Sequence, residues 1–159
     1  MKRISCNTDN QGGISFIKAI PKSVFNRVKT DYTSGKKYAS VTSLDDVIEL
    51  PVVNDKSYSF EETQTLEDGG NTYAVAIQGL IPRNETEAKL RSELERGEWL
   101  VLHTDRNGIS LLSGTKEVPL FFASHRLSGA APSATNGNAF VFSGQMPAPS
   151  VEVEEIIVE

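Results

Sequence analysis

Residues 82–112 constrain the fold of this chain more tightly than any other stretch. Within them, Leu90 and Leu94 lie four residues apart, and most of the surrounding positions are charged. This spacing predicts a helix at about residues 85–96 with one narrow apolar side. Gly97 follows directly and is predicted to end the helix in a left-handed conformation. A helix with so little apolar surface lies across a sheet with its charged side in water, so the core is predicted to be a sheet.

A β-hairpin is predicted immediately after this helix. Two apolar runs, at residues 99–103 and 109–112, flank the sequence Asp105-Arg106-Asn107-Gly108. An Asn-Gly pair between apolar strands is the strongest local signal for a tight hairpin turn. The helix therefore leads into two antiparallel strands of the same core.

Further strands are predicted from short apolar or alternating runs bounded by Gly, Pro and Asn. They are expected at residues 14–20, 46–53, 58–66, 72–79, 118–127 and 138–144. A short turn is predicted after Ser23, and a flexible loop over residues 30–37. The strand at 58–66 is almost entirely polar, so at least one of its faces is expected to meet water or a polar partner. The predicted fold class is mainly β, a β-sandwich or barrel-like sheet with one flanking α-helix.

The chain of 159 residues is expected to form a single β-rich domain over residues 1–150. Residues 1–13 are polar and are interpreted as a loose leader. Residues 151–159 form an acidic strip of β-prone residues that, left unpaired, would be a sticky edge. Two interpretations remain open for this strip: a strand that docks on a neighbouring copy, or a frayed terminus.

Charge is divided unevenly along the chain. Residues 1–37 contain eight basic and two acidic side chains, a balance of +6, so a net charge of −5 leaves −11 on the remainder. A basic arm on an acidic body can bind nucleic acid, an anionic surface or an acidic face of a second copy. A solvated surface without any partner is the alternative.

No residue pattern indicates catalysis or metal binding. His103 and His125 are the only histidines and Cys6 is the only cysteine, and none has a partner at metal-ligand or nucleophile spacing. We therefore predict no enzyme activity, no catalytic residue, no cofactor and no metal. No apolar run approaches the 18 or so residues of a membrane span, so no membrane partner is expected.

Several motifs after Gly70 carry a family resemblance. They are T-E-A-K-L-R-S-E-L in the predicted helix, D-R-N-G followed by L-L-S-G, then S-G-A-A-P-S, N-G-N-A-F-V-F-S-G and P-A-P. This succession resembles the virion tail proteins of long-tailed bacteriophages, tail-tube subunits above all. The resemblance implies a β-sandwich with a flanking helix that forms hexameric rings stacked into a hollow tube.

The same resemblance implies partners and a location. Copies of the chain and other virion proteins would be its partners, and DNA would pass an acidic lumen without specific binding. The loop at 30–37 would reach an adjacent ring, and the location would be a virion assembled in the bacterial cytoplasm. Another virion part, such as a tail terminator or head-tail adaptor, is an alternative to the tube subunit.

Self-association is also predicted from the residues themselves, because a polar strand, a sticky terminal strip and a divided charge suit a subunit that completes itself on copies. The predicted interaction residues are Lys36, Lys37, Tyr58, Phe60, Val151, Val153, Ile156 and Ile157. Removal of the terminal strip is expected to weaken assembly and leave the fold intact. The alternative function is a stand-alone β-sandwich binding module, of a cell surface or for carbohydrate.

Overall fold

The computed structural model of the chain describes residues 12–50, 52, 58–82, 87–128 and 136–159. The strands are β1 (Ile14–Pro21), β2 (Phe25–Thr30), β3 (Lys37–Val41), β4 (Ile48–Leu50), β5 (Ser59–Glu67), β6 (Gly70–Pro82), β7 (Trp99–Asp105), β8 (Ser110–Ser113), β9 (Phe121–Leu127), β10 (Gly137–Met146), β11 (Val151–Glu152) and β12 (Ile156–Val158). The helix α1 spans Glu87–Arg96. The predicted mainly β fold with one flanking helix is confirmed. The first two residues predicted for the helix, and residues 1–11 of the predicted leader, lie outside the described residues.

The strands form three sheets. The central sheet has the order β11-β8-β7-β1-β4, the four-stranded sheet the order β5-β6-β10-β9, and the three-stranded sheet the order β12-β3-β2. All pairings are antiparallel except that of β12 with β3, which is parallel. One core cluster joins the central and four-stranded sheets, and a second joins the central and three-stranded sheets.

The central sheet is buried on both faces, which explains the unbroken apolar run in β7. Trp99 and Val101 belong to the first cluster, whereas Leu100 and Leu102 belong to the second. Successive side chains of a strand point to opposite faces, so neighbouring residues here serve different cores. The molecule is therefore a three-layered β-structure.

An aromatic group fills the core between the central and four-stranded sheets. The ring centroids of Phe122, Phe140 and Phe142 lie 5.1–5.8 Å apart in stacked and edge-on arrangements. Burying each such side chain stabilises the fold by roughly 1.5–3 kcal/mol. This layer fixes which face of β9 and β10 is turned toward water.

Helix α1 closes one end of this aromatic core. Leu94 is fully buried, and its carbonyl accepts a 2.8 Å hydrogen bond from the indole Nε1–H of Trp99. The prediction that Gly97 adopts a left-handed conformation is wrong, because its φ is not among the positive values. A Cβ there would come within 2.4–2.6 Å of the Trp99 ring. Gly97 is thus needed for close packing and not for its backbone freedom.

Residues 23–41 differ from the sequence expectation. The predicted turn after Ser23 is mostly strand β2, and β3, which was not predicted, pairs with it. The turn between them is built on Asp31, whose side chain accepts hydrogen bonds from Thr33 N–H and Ser34 Oγ–H. The segment predicted as a flexible loop is therefore a hydrogen-bonded turn of a β-hairpin.

The other predicted strands are recovered with shifted ends. The strand predicted at 46–53 is described only at Ile48–Leu50, and residues 51 and 53 lie outside the described part of the chain. The predicted turn Asp105-Arg106-Asn107-Gly108 joins β7 and β8, with Gly108 at a φ of 82°. Local turn chemistry therefore identified this hairpin correctly.

The terminal strip is paired within its own chain. Strand β11 extends the central sheet by pairing with β8, and β12 extends the three-stranded sheet by pairing with β3. Val153 between them is only 3% exposed and packs in the second core cluster. The interpretation as a frayed terminus is therefore wrong, and removal of the strip is not expected to leave the fold intact.

Candidate functional site

The outward face of the four-stranded sheet carries exposed and half-buried side chains. Val75, Ile77, Phe140 and Phe142 point into the core, so the alternate residues of β6 and β10 point outward. These outward residues are Ala74, Ala76, Gln78, Leu80, Ala139, Val141, Ser143 and Gln145. The two middle strands thus present small or apolar side chains to solvent.

The flanking strands complete this surface, which we call the open face. Their outward residues are Phe121, Ala123, His125 and Leu127 of β9, and Ser59, Glu61, Thr63, Thr65 and Glu67 of β5. Phe121 is 56% exposed and Leu127 41% exposed. Large apolar side chains on an exposed sheet face are a mark of an interaction surface when they occur together.

The open face is nearly free of charge. Its carboxylates are Glu61 and Glu67 on the edge strand β5, and its histidine is His125, in a chain whose net charge is −5. Near Phe121 lies a shallow hollow of about 400 Å³, lined by Gln78, Gly79, Ala123, His125, Ala139 and Val141 among others. Ala123 and Ala139 end at Cβ, which leaves room there for an apolar side chain of a partner.

Both edges of the four-stranded sheet are strands with one pairing partner each. β5 pairs with β6 alone and β9 with β10 alone. Edge β5 carries Glu61, Glu62 and Glu67, whereas edge β9 carries His125 and Arg126. A long edge strand presents unpaired backbone groups that template pairing with another chain.

The three-stranded sheet has a different, charged outward side. The side chain of Glu159 contacts Lys29 Nζ and accepts a 2.9 Å hydrogen bond from Ser40 Oγ, and Arg27 lies 3.5 Å away. The hydrogen bond from Lys29 and that from Ser40 lower the pKa of Glu159 below its ordinary value. The Glu159 side-chain carboxylate therefore links β12 to the basic strand β2.

Most of the predicted interaction residues are engaged inside the chain. Lys36 Nζ lies 3.3 Å from the Glu154 carboxylate, and the Lys37 carbonyl accepts the Glu154 N–H at 2.8 Å. Tyr58 is buried with its hydroxyl donating to the Leu80 carbonyl, and Phe60 packs on His103. Val151, Val153, Ile156 and Ile157 lie in or beside the strands of the terminal strip, with Val153 buried and the others half-buried. The structure thus gathers four predicted residues in one strip but does not leave them free.

Sequence analysis missed Phe121, Ala123, Ala139 and Val141. A signal for part of this set was present, because the alternation that places Phe140 and Phe142 on one face places Ala139 and Val141 on the other. Apolar residues on both faces of a strand indicate two buried surfaces. The described residues of the chain cover only one of them.

His103 occupies the other notable environment. It is 3% exposed, its ring centroid is 4.2 Å from that of Phe60, and its Nδ1 makes no hydrogen bond within the described part of the chain. Burial lowers the pKa of His103 to about 4, against the smaller opposing effects of the Asp105 and Glu62 carboxylates. The neutral imidazole therefore prevails at neutral pH.

The carboxylates near His103 are already engaged by the backbone and by other side chains. Asp105 accepts hydrogen bonds from the backbone N–H groups of Asn107 and Ile109 at 2.8 and 2.9 Å, and Glu62 accepts from the N–H and Oγ–H of Ser150. Burial alone would raise the pKa of Asp105, but these backbone hydrogen bonds lower it overall. A cavity of about 280 Å³ borders this group. The arrangement stabilises turns and strand ends.

Two further findings concern metal ions and membranes. Among the described residues, no group of three or more His, Cys, Asp or Glu side chains is placed to hold a metal ion. In the same residues, no helix is long and apolar enough to cross a membrane. Cys6 lies outside the described residues.

Comparison of the chain with protein-family models, curated proteins and solved structures finds no match. Function is therefore inferred from the surfaces of the chain and from its sequence.

Proposed function

We propose that this chain is a structural, self-assembling virion protein, a tail-tube subunit whose copies form stacked rings. The observation that carries the proposal is the nine-residue edge strand β5, which among the described residues has a hydrogen-bonded neighbour on one side only. The glutamates of this edge discourage indiscriminate pairing and favour a partner edge of opposite charge. A neighbouring copy with such an edge satisfies the free backbone groups of β5.

Charge selects β9 of the next copy as the partner of β5. Edge β5 is acidic through Glu61, Glu62 and Glu67, and edge β9 is basic through Arg126. Pairing of unlike edges is head-to-tail, and a head-to-tail contact either closes into a ring or continues as a filament. A filament extends by this contact alone, whereas a closed ring needs a second contact with the next ring to form a tube.

The divided charge and the resemblance support the same assembly. The −11 balance beyond residue 37 suits a lumen that repels phosphate, so DNA passes without specific binding. The motifs from T-E-A-K-L-R-S-E-L in the helix to P-A-P near residue 148 resemble those of tail-tube subunits. On this proposal the other partners are further virion proteins, and the location is the virion.

The test is sedimentation velocity over a wide range of protein concentration, followed by negative-stain microscopy of the largest species. Rings or tubes are expected for the native chain. Arg126→Glu makes both edges acidic and is expected to shorten or abolish them. Lys116→Glu, the same change of charge on an exposed turn residue away from β9, is the matched control and is expected to assemble normally. A native chain that remains a monomer at every concentration would contradict the proposal and favour a stand-alone binding module.

A further inference from the structure

The open face has its own role, separate from the strand edges. We infer that it is the contact surface of a two-fold pair of copies, with Phe121 of each copy seated in the hollow of the other. The hollow and the protruding ring belong to the same face of the same chain. Such a surface is self-complementary, which is the requirement for a two-fold contact.

The spacing of the two features suits this arrangement. Phe121 and Ala123, which lines the hollow, are two residues apart on β9, about 7 Å along the strand. A two-fold axis that lies between the faces and crosses the strands at the midpoint exchanges ring and hollow. Both rings are then inserted by one rotation, and the two sheets pack face to face as in a β-sandwich.

Charge identifies a second copy as the occupant. Copies of a chain with a net charge of −5 repel one another, and the repulsion is least where the facing surfaces carry least charge. The carboxylates of the open face, Glu61 and Glu67, lie on the edge strand β5, and its centre at Ala76, Ala139 and Val141 has none. Two copies therefore meet through this face without bringing like charges together.

The hollow is bordered by side chains of unequal length. Gly79 also lines it, but an added Cβ there would point into the core, within 2.5–2.7 Å of the rings of Tyr58 and Phe140, and not into the hollow. Around it, Ala123 and Ala139 end at Cβ, whereas Phe121 and Leu127 on the same face are long. Long and short side chains thus alternate across the face, as interdigitating layers require.

This pair goes beyond the proposed tube. A two-fold contact closes on itself and does not extend into a ring, so it describes the subunit before assembly. Four strands spaced about 4.8 Å apart give a face roughly 20 Å across, and an interface of this size is at the lower end of those that form stable complexes. The pair is therefore expected to form at micromolar concentration and to separate readily.

The experiment is sedimentation equilibrium of the full chain at low and high salt. The native chain is expected to dimerise, and Phe121→Lys is expected to raise the dissociation constant at least ~10-fold. Tyr32→Lys is the matched control, because Tyr32 is an aromatic residue 95% exposed on the β2–β3 turn. It is expected to change the dissociation constant less than about twofold, as surface substitutions outside an interface do. Salt is expected to have little effect, because the contact is apolar.

Circular dichroism shows whether Phe121→Lys folds, and a second variant tests the same contact independently. Ala139→Lys fills the hollow from the other side of the contact and is expected to weaken the dimer equally. A monomeric native chain, or a dimer that neither variant weakens, would overturn the inference. Microscopy separates this result from the proposed function: rings that persist in Phe121→Lys leave the tube proposal intact, and a dimer without rings contradicts the tube alone.

Discussion

The two outer sheets of this molecule pack on opposite faces of one central sheet and treat their outward sides differently. The three-stranded sheet is fastened by the chain's own C-terminal strip, and its charges are matched by Glu159 and Glu154. The four-stranded sheet has an aromatic core beneath it and a nearly uncharged open face above. One sheet is completed within the chain, whereas the described residues leave the outward side of the other exposed.

The difference shows that burial and charge carry separate information about function. A charged outward side that is paired internally gives a neighbour little to bind, because its ion pairs are already formed. The free energy of burying an apolar outward side is gained only when a partner covers that side. Under the assembly that we propose, the surface used is therefore the less charged of the two.

Removal of residues 151–159 tests the completion of the three-stranded sheet and has the largest expected effect. Val153 alone contributes roughly 1.5–3 kcal/mol, and half-buried Val151 and Ile156 together a similar amount. We expect the free energy of unfolding to fall by about 3–5 kcal/mol, measured by urea denaturation. Val158→Ser, at an exposed position of the same strip, is the control and is expected to be nearly neutral. An unchanged denaturation midpoint in the truncated chain would show that the strip does not cover the core.

The second prediction concerns how the stability of the core beneath the four-stranded sheet depends on pH. The pKa of His103 is lowered from an ordinary 6.5 to about 4 in the fold. Between these two pH values the imidazole is therefore protonated in the unfolded chain and neutral in the folded chain. Its contribution is present above pH 6.5 and is lost as the pH falls toward 4, a loss of about 3 kcal/mol. His103→Leu is expected to remove this slope in unfolding experiments between pH 7 and 4.5.

The control for this experiment is the other histidine. His125 lies exposed on the open face, so His125→Leu is expected to retain the slope of the native chain. A slope that survives in His103→Leu would assign it to groups other than this imidazole.

A glycine pair sharpens the comparison at a smaller scale. A Cβ at Gly79 would meet the rings of Tyr58 and Phe140 at 2.5–2.7 Å, whereas a Cβ at Gly69 has nothing within 4 Å. Gly79→Ala is expected to cost about 1–3 kcal/mol by overpacking the core under the open face. Gly69→Ala, in the β5–β6 turn, is expected to change the melting temperature little. Equal effects of the two substitutions would mean that strand β6 shifts to accommodate a Cβ at Gly79, contrary to the close packing there.

Local signals predicted the elements that local chemistry determines. The Leu90–Leu94 spacing indicated α1, and Asn107-Gly108 between apolar runs indicated the β7–β8 hairpin. Strand β3 was missed because its parallel partner β12 lies 117 residues further along the chain, where Ile156 pairs with Ala39. A parallel pairing over such a distance leaves no mark in the local sequence.

The candidate site was harder to predict than the fold for the same reason. The predicted interaction residues were chosen for stickiness or charge, and Val153, Tyr58 and Lys36 found partners inside the chain. The open face consists of single outward residues from four strands, of which Phe121 is the most exposed apolar one. Only the sheet order brings them together, and the sequence does not encode that order locally.

The last and smallest expected effect concerns the carboxylate that fastens the three-stranded sheet. The pKa of Glu159 is lowered in the fold, so its contribution is present above the ordinary carboxyl pKa and is lost as the pH falls through the lowered value. Glu159→Gln is expected to lower the melting temperature slightly at neutral pH and low salt. High salt is expected to remove the difference, because exposed ion pairs are screened. Glu152→Gln, at an exposed carboxylate on β11, is the control. If Glu152→Gln lowers the melting temperature as much as Glu159→Gln, the net charge and not the contacts of Glu159 determines the stability of the three-stranded sheet.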